Sequence, residues 1–153
     1  MGKSGVPGGA FQLSGADTVD TVLSPDGTRL YVANGDGTLS TFDLATHREI
    51  ARWKVGDALG GIDITPDGKS IVAVERTASS LSGGASVIGS YVIDVTTGTV
   101  KAALTQNGSG DFDQSYNGSF FDVATTADGK AIFTQSFNGS GWEPITTLDL
   151  ASG

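Results

Sequence analysis

Three aspartates recur at comparable places in the sequence and are the residues best suited to chemistry. Asp20, Asp63 and Asp122 lie 5, 3 and 5 residues before the proline or alanine of a repeated turn motif. Alternate residues of a strand face the same side, so the shared parity predicts that the three carboxylates lie on one face. Ca²⁺ takes about six to eight oxygen ligands, carboxylates among them. The spacing therefore predicts either a cation site, with Ca²⁺ as the candidate, or carboxylates that accept hydrogen bonds from loop amides of a neighbouring unit.

The rest of the sequence holds no catalytic constellation. It has no Cys and a single His, His47, which excludes a thiolate metal site, a cysteine nucleophile and a disulfide. A net charge of −8, from 17 Asp and Glu against 9 Lys and Arg, disfavours nucleic acid and anionic membranes as partners. No segment approaches the roughly 20 apolar residues of a membrane span, and no signal peptide is visible. An enzyme would have to rely on carboxylates alone or on residues outside this sequence.

Strands are the elements that must position the aspartates. Helical periodicity is interrupted throughout by Gly and Pro, and short runs rich in β-branched and aromatic residues take its place. The predicted strands are Phe11–Leu13, Thr18–Leu23, Arg29–Ala33, Thr38–Asp43, Glu49–Val55, Gly61–Thr65, Ser70–Glu75, Ser86–Asp94, Thr99–Thr105, Ser119–Thr125, Ala131–Phe137 and Pro144–Leu150. The sequence thus predicts an all-β fold.

Two motifs recur in a fixed order and divide these strands into units. The first motif is a turn that reads SPDG at 24–27, TPDG at 65–68 and TADG at 126–129, with its aspartates 41 and 61 residues apart. Pro presets φ in such a turn, and Gly takes the positive φ that closes the hairpin. The second motif, FDLA at 42–45, IDVT at 93–96 and LDLA at 148–151, ends a strand and enters a turn in which His47 and Gly98 take equivalent places. Four strands per unit at a period in the low forties predict β-propeller blades, with strands A to D in each.

The first unit also resembles a known repeat family. Residues 24–43, SPDGTRLYVANGDGTLSTFD, are similar to the YVTN-type β-propeller repeat of many bacterial surface and periplasmic proteins. The third unit departs from the pattern, since Ala127 replaces Pro and TQS at 134–136 replaces the usual aliphatic strand B. The resemblance implies a propeller and an extracytoplasmic location. It leaves the activity open, because lactonases, dehydrogenase subunits and binding scaffolds share the repeat.

Counting strands gives three blades' worth of propeller. Residues 1–10 are predicted to be a flexible segment, 11–14 a lone strand D, 17–56 blade one, 58–106 blade two and 118–153 a blade three that lacks strand D. Known propellers have about four to eight blades. Two expectations follow: the remaining blades belong to a longer chain, or a second copy closes a six-bladed ring. Trp53, in strand D among apolar residues, is predicted to pack between blades or to cap an edge.

The insertions in this pattern are predicted to form a recognition surface. They fall in the B–C connections of blades two and three and in the D–A connection between them, and antiparallel strands place all three on one rim. The candidate ligand-binding residues of this rim are Arg76, Asp111, Phe112, Asp113, Tyr116 and Trp142. Neutral drift of surface loops is the alternative. The sequence therefore predicts a noncatalytic scaffold for a protein or carbohydrate ligand, with a fragment of a propeller enzyme, acting through carboxylates and a divalent cation, as the alternative.

Overall fold

The computed structural model describes residues 17–75, 79–80, 86–107, 120–135 and 145–151. Within these ranges the chain forms twelve strands, and no helix there could span a membrane. The strands are β1 Thr18–Leu23, β2 Arg29–Asn34, β3 Thr38–Asp43, β4 Arg48–Lys54, β5 Leu59–Ile64, β6 Ser70–Glu75, β7 Ser79–Ser80, β8 Ser86–Asp94, β9 Val100–Asn107, β10 Phe120–Thr125, β11 Lys130–Gln135 and β12 Ile145–Asp149. The predicted strand at 11–13 lies outside the described residues.

The strands form three antiparallel sheets. The first has the order β1-β2-β3-β4, the second β5-β6-β8 with β7 and β9 also paired to β8, and the third β10-β11-β12. Apart from the two-residue strand β7, each sheet is a meander in which successive strands pair. Each sheet is therefore a blade: the first sheet is blade one, the second blade two and the third blade three. The predicted fold class, all-β with about three propeller blades and an incomplete propeller, is confirmed.

The repeated turn closes each A–B hairpin as its residue types predict. The hydroxyls of Ser24, Thr65 and Thr126 accept a hydrogen bond from the first backbone amide of the returning strand, at 2.9, 3.0 and 3.0 Å. The glycine of each turn has a φ of +68°, +70° or +82°, in the left-handed region that favours glycine. The tight turns fix where each strand A ends, and with it the height of each aspartate.

The third hairpin is one residue shorter than the other two. The Thr126 hydroxyl accepts its hydrogen bond from the amide of Lys130, four residues later in the chain. The hydroxyls of Ser24 and Thr65 accept theirs from amides five residues later. Strand B of blade three therefore begins at Lys130, and its buried apolar residues are Ala131 and Phe133. Thr134 and Gln135 lie in this strand, as the sequence indicated, and the predicted strand 131–137 begins one residue later than the observed one because this hairpin is shorter.

Apolar side chains form two clusters, one at each junction between blades. At the first junction, between blades one and two, Tyr31 and Leu39 meet Ile62, Ile71 and their neighbours. At the second junction, between blades two and three, a smaller set of described residues packs together: Val72, Val74, Val123, Ala131 and Phe133. Each large apolar side chain removed from water in this way contributes about 1.5–3 kcal/mol.

Trp53 packs between blades, as predicted. A Cβ added to Gly98, in the C–D turn of blade two, would overlap the indole ring of Trp53 in blade one. Gly98 also has a φ of +71°, and the residue at the equivalent place in blade one, His47, has a φ of 56° and is exposed. Only a residue without a side chain fits where Trp53 covers the turn.

Candidate functional site

The strand A carboxylates connect consecutive blades. Asp20 Oδ2 accepts a hydrogen bond of 2.8 Å from the amide of Ile62, in the first strand of blade two, and its Oδ1 accepts one from Thr21. Asp63 Oδ2 accepts from the amide of Thr125, in the first strand of blade three, at 2.6 Å, and its Oδ1 accepts from Ile64. Both oxygens of both side chains are therefore used by backbone amides.

The third aspartate belongs to the same series at the end of the described blades. Asp122 Oδ1 accepts a hydrogen bond of 2.9 Å from the amide of Val123, and the residue is exposed. Across the residues the structure describes, no three His, Cys, Asp or Glu side chains are grouped so that they could hold a metal ion. The contacts match the hydrogen-bonding interpretation in kind, but the donors are strand amides rather than loop amides. Ca²⁺ binding by Asp20, Asp63 and Asp122 stays a prediction.

A buried carboxylate that the sequence analysis missed lies at the end of β6. Glu75 is 3% exposed and accepts hydrogen bonds from the amides of Asp57 and Ala58, at 2.9 and 2.5 Å, and from the Tyr91 hydroxyl at 3.2 Å. Burial, together with the negative charge of Glu75, raises the pKa of Tyr91 to about 12. Gly56 passes so close that a Cβ there would overlap the Glu75 carboxylate. The only sequence signal was an acidic residue directly after the apolar run Ile71–Val74.

Glu75 anchors the connection from blade one to blade two. This connection lies between β4 and β5, and in an antiparallel blade its rim is the one from which the B–C connections also leave. The residues predicted to recognise a ligand on that rim lie outside the described residues: Arg76, Asp111, Phe112, Asp113, Tyr116 and Trp142. What the structure describes there is the framework, namely the ends of β6, β9 and β11 and the buried Glu75.

Two grooves lie near the opposite rim, at equivalent places in the two junctions. The first groove, of about 340 Å³, lies between blade one and the C–D turn of blade two and is lined by Arg29, Tyr31, Thr41, Ile50, Ala51, Trp53, Val95 and Thr96. The second groove, of about 510 Å³, lies between blade two and the C–D turn of blade three and is lined by Thr65, Ser70, Val92, Lys101, Ala102, Leu150 and Ala151. Volumes of this order lie in the lower part of the range of small-molecule sites, so each groove is large enough for a single ring.

The grooves repeat because the strands around them repeat. A bulge in strand D displaces one residue in each blade, Ile50 in blade one and Lys101 in blade two, and each lines its groove. In every blade an amide of the C–D turn also donates to a carbonyl of the A–B turn, from Leu44 to Thr28 in blade one, for example. The two turns that border the grooves are thus fixed to each other.

Comparison with solved structures supports the propeller fold. The chain is similar to Kuenenia stuttgartiensis hydrazine synthase, with a TM-score of 0.62 and 26% identity over 87% of this chain and 34% of that one. It is also similar to the β-propeller domain of Myceliophteria thermophila Cps50 (Swd1), with a TM-score of 0.60 and 9% identity over 89% of this chain and 40% of that one. The chain therefore spans between a third and two fifths of these structures. No protein-family model and no curated protein matches it.

Proposed function

We propose that this propeller is a noncatalytic binding scaffold whose ligand, a protein or a carbohydrate, is recognised on the rim that carries the B–C and D–A insertions. The observation that carries the proposal is the buried Glu75, which fixes the connection at that rim through two backbone amides. Loops on a rigid frame are where β scaffolds place recognition. An extracytoplasmic location is part of the proposal and comes from the resemblance to YVTN-type repeats.

The engagement of the strand A carboxylates supports a scaffold over an enzyme. A general base or a metal ligand needs an oxygen that is available to a substrate or an ion. Asp20 and Asp63 each use both oxygens on backbone amides, and releasing the Oδ2 of either residue would break a connection between blades. These side chains have a structural task that competes with catalysis.

The proposal is tested by binding on a glycan array and a peptide array. The wild-type chain is compared with a rim variant, Phe112→Ala/Tyr116→Ala/Trp142→Ala, and with Leu23→Ser, at an exposed apolar residue near the opposite rim and outside both grooves, as a control. We expect hits that the rim variant loses and the control keeps, at unchanged melting temperatures. Hits on glycans or peptides without a ring carboxylate that survive the rim substitutions would contradict recognition at this rim.

A propeller enzyme is the second candidate, because one structural neighbour is named hydrazine synthase, which is the name of an enzyme. In this case Asp20, Asp63 and Asp122 would act with a divalent cation such as Ca²⁺. Calorimetric titration with Ca²⁺, and lactone-hydrolysis and dye-reduction assays with and without EDTA, test it. Turnover that EDTA abolishes would replace the scaffold proposal.

Ring closure is a further part of the proposal. Three blades are fewer than the roughly four to eight of closed propellers, so we propose that further blades of a longer chain, or a second copy of this one, complete the ring. Sedimentation velocity at micromolar concentration separates the longer chain from the second copy. A dimer supports the six-bladed ring, and a monomer that unfolds cooperatively on heating excludes it.

A further inference from the structure

The first groove contains a buried hydroxyl without a partner. Thr41 is 2% exposed, and its Oγ1 is the one buried side-chain polar atom, among those the structure describes, that makes no hydrogen bond. Thr41 pairs with Tyr31 across β2 and β3, so it shares the face that lines the groove. A buried hydroxyl is normally hydrogen-bonded, and an exception calls for an explanation. Here the explanation lies in the groove that Thr41 borders.

A guanidinium lines the same groove. Arg29 forms no ion pair within the described part of the chain. Two carboxylates whose charge it feels form no ion pair with it: Asp26 accepts from Ser24 and Thr28 through Oδ1, and Asp43 accepts from Thr46 through Oδ1. The Arg29 side chain can therefore donate to a ligand, and a guanidinium matches a carboxylate in a two-pronged geometry.

The walls of the groove are apolar and aromatic. Trp53 lies on one side, held over Gly98, and Ile50 is 48% exposed beside it. Aromatic and aliphatic surface of this kind favours the flat face of a ring. The groove thus combines a cation, a hydroxyl donor and an apolar wall in a space that holds one ring.

The second groove serves as an internal comparison. Val92 stands where the first groove has Thr41, so the second groove has no hydroxyl at that position. Its cation, Lys101, is already satisfied by Asp94 at 3.0 Å and by the Ser70 hydroxyl at 3.2 Å. Among the described lining residues, the hydroxyls of Thr65 and Ser70 and the ammonium of Lys101 all make hydrogen bonds. The first groove differs in having a buried hydroxyl without a partner and a guanidinium without an ion pair.

We propose that the first groove binds a carboxylate attached to a six-membered ring. The ligand carboxylate accepts hydrogen bonds from Arg29, the Thr41 hydroxyl donates to a ligand oxygen, and the ring lies against Trp53. Two sources carry this chemistry, a uronic acid of an acidic polysaccharide and an aromatic acid. The site lies near the rim opposite the proposed recognition loops, so this proposal can be tested independently of ligand recognition by those loops.

The test is a titration of the ¹⁵N-labelled chain, followed by amide chemical shifts, with glucuronate, glucose, phenylacetate and acetate. Glucuronate and glucose differ only in the carboxylate, and acetate lacks the ring. We expect glucuronate or phenylacetate to shift the amides around Arg29, Thr41 and Thr96 with millimolar affinity, and glucose and acetate to bind at least about tenfold more weakly. Binding by glucuronate alone assigns the sugar source, and binding by phenylacetate alone assigns the aromatic source.

Four variants decide whether this groove is responsible. Arg29→Gln and Thr41→Val are expected to weaken binding about tenfold, Thr41→Ser to retain it because it keeps the hydroxyl, and Lys101→Gln in the second groove to leave it unchanged. Melting curves verify that each variant is folded. The proposal is overturned if neither acid binds at concentrations up to about ten times the millimolar Kd expected of a small ring ligand. It is also overturned if Arg29→Gln and Thr41→Val bind as the wild type does.

Discussion

The two junctions between blades are built on one backbone plan with different side chains. Among the described residues, nine buried apolar side chains form the cluster of the first junction and five form that of the second. Polar contacts to the aspartate are more numerous at the second junction. At the first junction one amide, that of Ile62, donates to Asp20, whereas at the second both the amide and the hydroxyl of Thr125 lie within hydrogen-bond distance of Asp63. A repeat fold can therefore hold its blades together with different proportions of apolar packing and carboxylate–amide bonding.

The largest expected effect tests the packing of the first junction. Gly98→Ala should destabilise the fold by about 3 kcal/mol, because the new methyl overlaps Trp53 and the φ of +71° disfavours a side chain. Gly27→Ala is the matched control, since it has a similar φ of +68° with nothing within 4 Å, and should cost about 1 kcal/mol. Urea unfolding measures both. Equal losses would mean that Trp53 yields and the contact is weak.

The next effect tests the polar contacts. Asp63→Asn should destabilise the fold by about 2–3 kcal/mol and Asp20→Asn by about 1–2 kcal/mol. Asn replaces one acceptor oxygen by an NH₂ group, so a backbone N–H that donated to that oxygen now faces another donor. Asp17→Asn, at an exposed residue, is the control and should be neutral. The order is measured by urea unfolding, and a larger loss at Asp20 would reverse the comparison between the junctions.

A pair of exchanges between the grooves sharpens the comparison further. Thr41→Val should stabilise the fold by about 1 kcal/mol, because it removes a buried hydroxyl without a partner. Val92→Thr should cost about 1–2 kcal/mol for the opposite reason. Thermal unfolding at a fixed pH checks both signs. Destabilisation by Thr41→Val would mean that the hydroxyl is satisfied in solution.

The smallest effect is a pH dependence that separates the C–D turns. Lys101 and the amides of Thr96 and Thr97 lower the pKa of Asp94 from 3.8 to about 2. Because the folded state holds this pKa below its unfolded value, the contribution is present above pH 3.8 and is lost as the pH falls towards 2. The melting temperature should therefore drop over this window, and drop less in Asp94→Asn. Identical profiles for the two proteins would remove Asp94 from the account.

The fold was predictable because its signals are local. Turn chemistry at Ser24 to Gly27 and its repeats, and alternating apolar residues, depend on near neighbours in the chain. The hydrogen bonding of Asp20 and Asp63 was one of two interpretations left open by their parity. Parity fixes a face but does not identify what lies opposite.

The features that the sequence did not predict depend on three-dimensional neighbours. Glu75 is buried because Gly56 and Tyr91 enclose it, and the Thr41 hydroxyl is buried in a blade junction where it makes no hydrogen bond. The shorter third hairpin escaped notice because Lys130 reads equally well as a turn or a strand residue. The predicted recognition residues, such as Trp142, lie outside the described residues and stay predictions.

The carboxylate–amide bonds between blades also bear on how long the folded state lasts. Strand pairing within each blade joins segments close in sequence, whereas the bonds of Asp20 and Asp63 span 42 and 62 residues. Short-range hairpins close at low entropic cost and so form early, while long-range contacts form late. Interactions absent from the folding transition state act on the unfolding rate. We therefore expect these two aspartates to slow unfolding, so that their loss raises the unfolding rate of the assembled blades more than it lowers the folding rate.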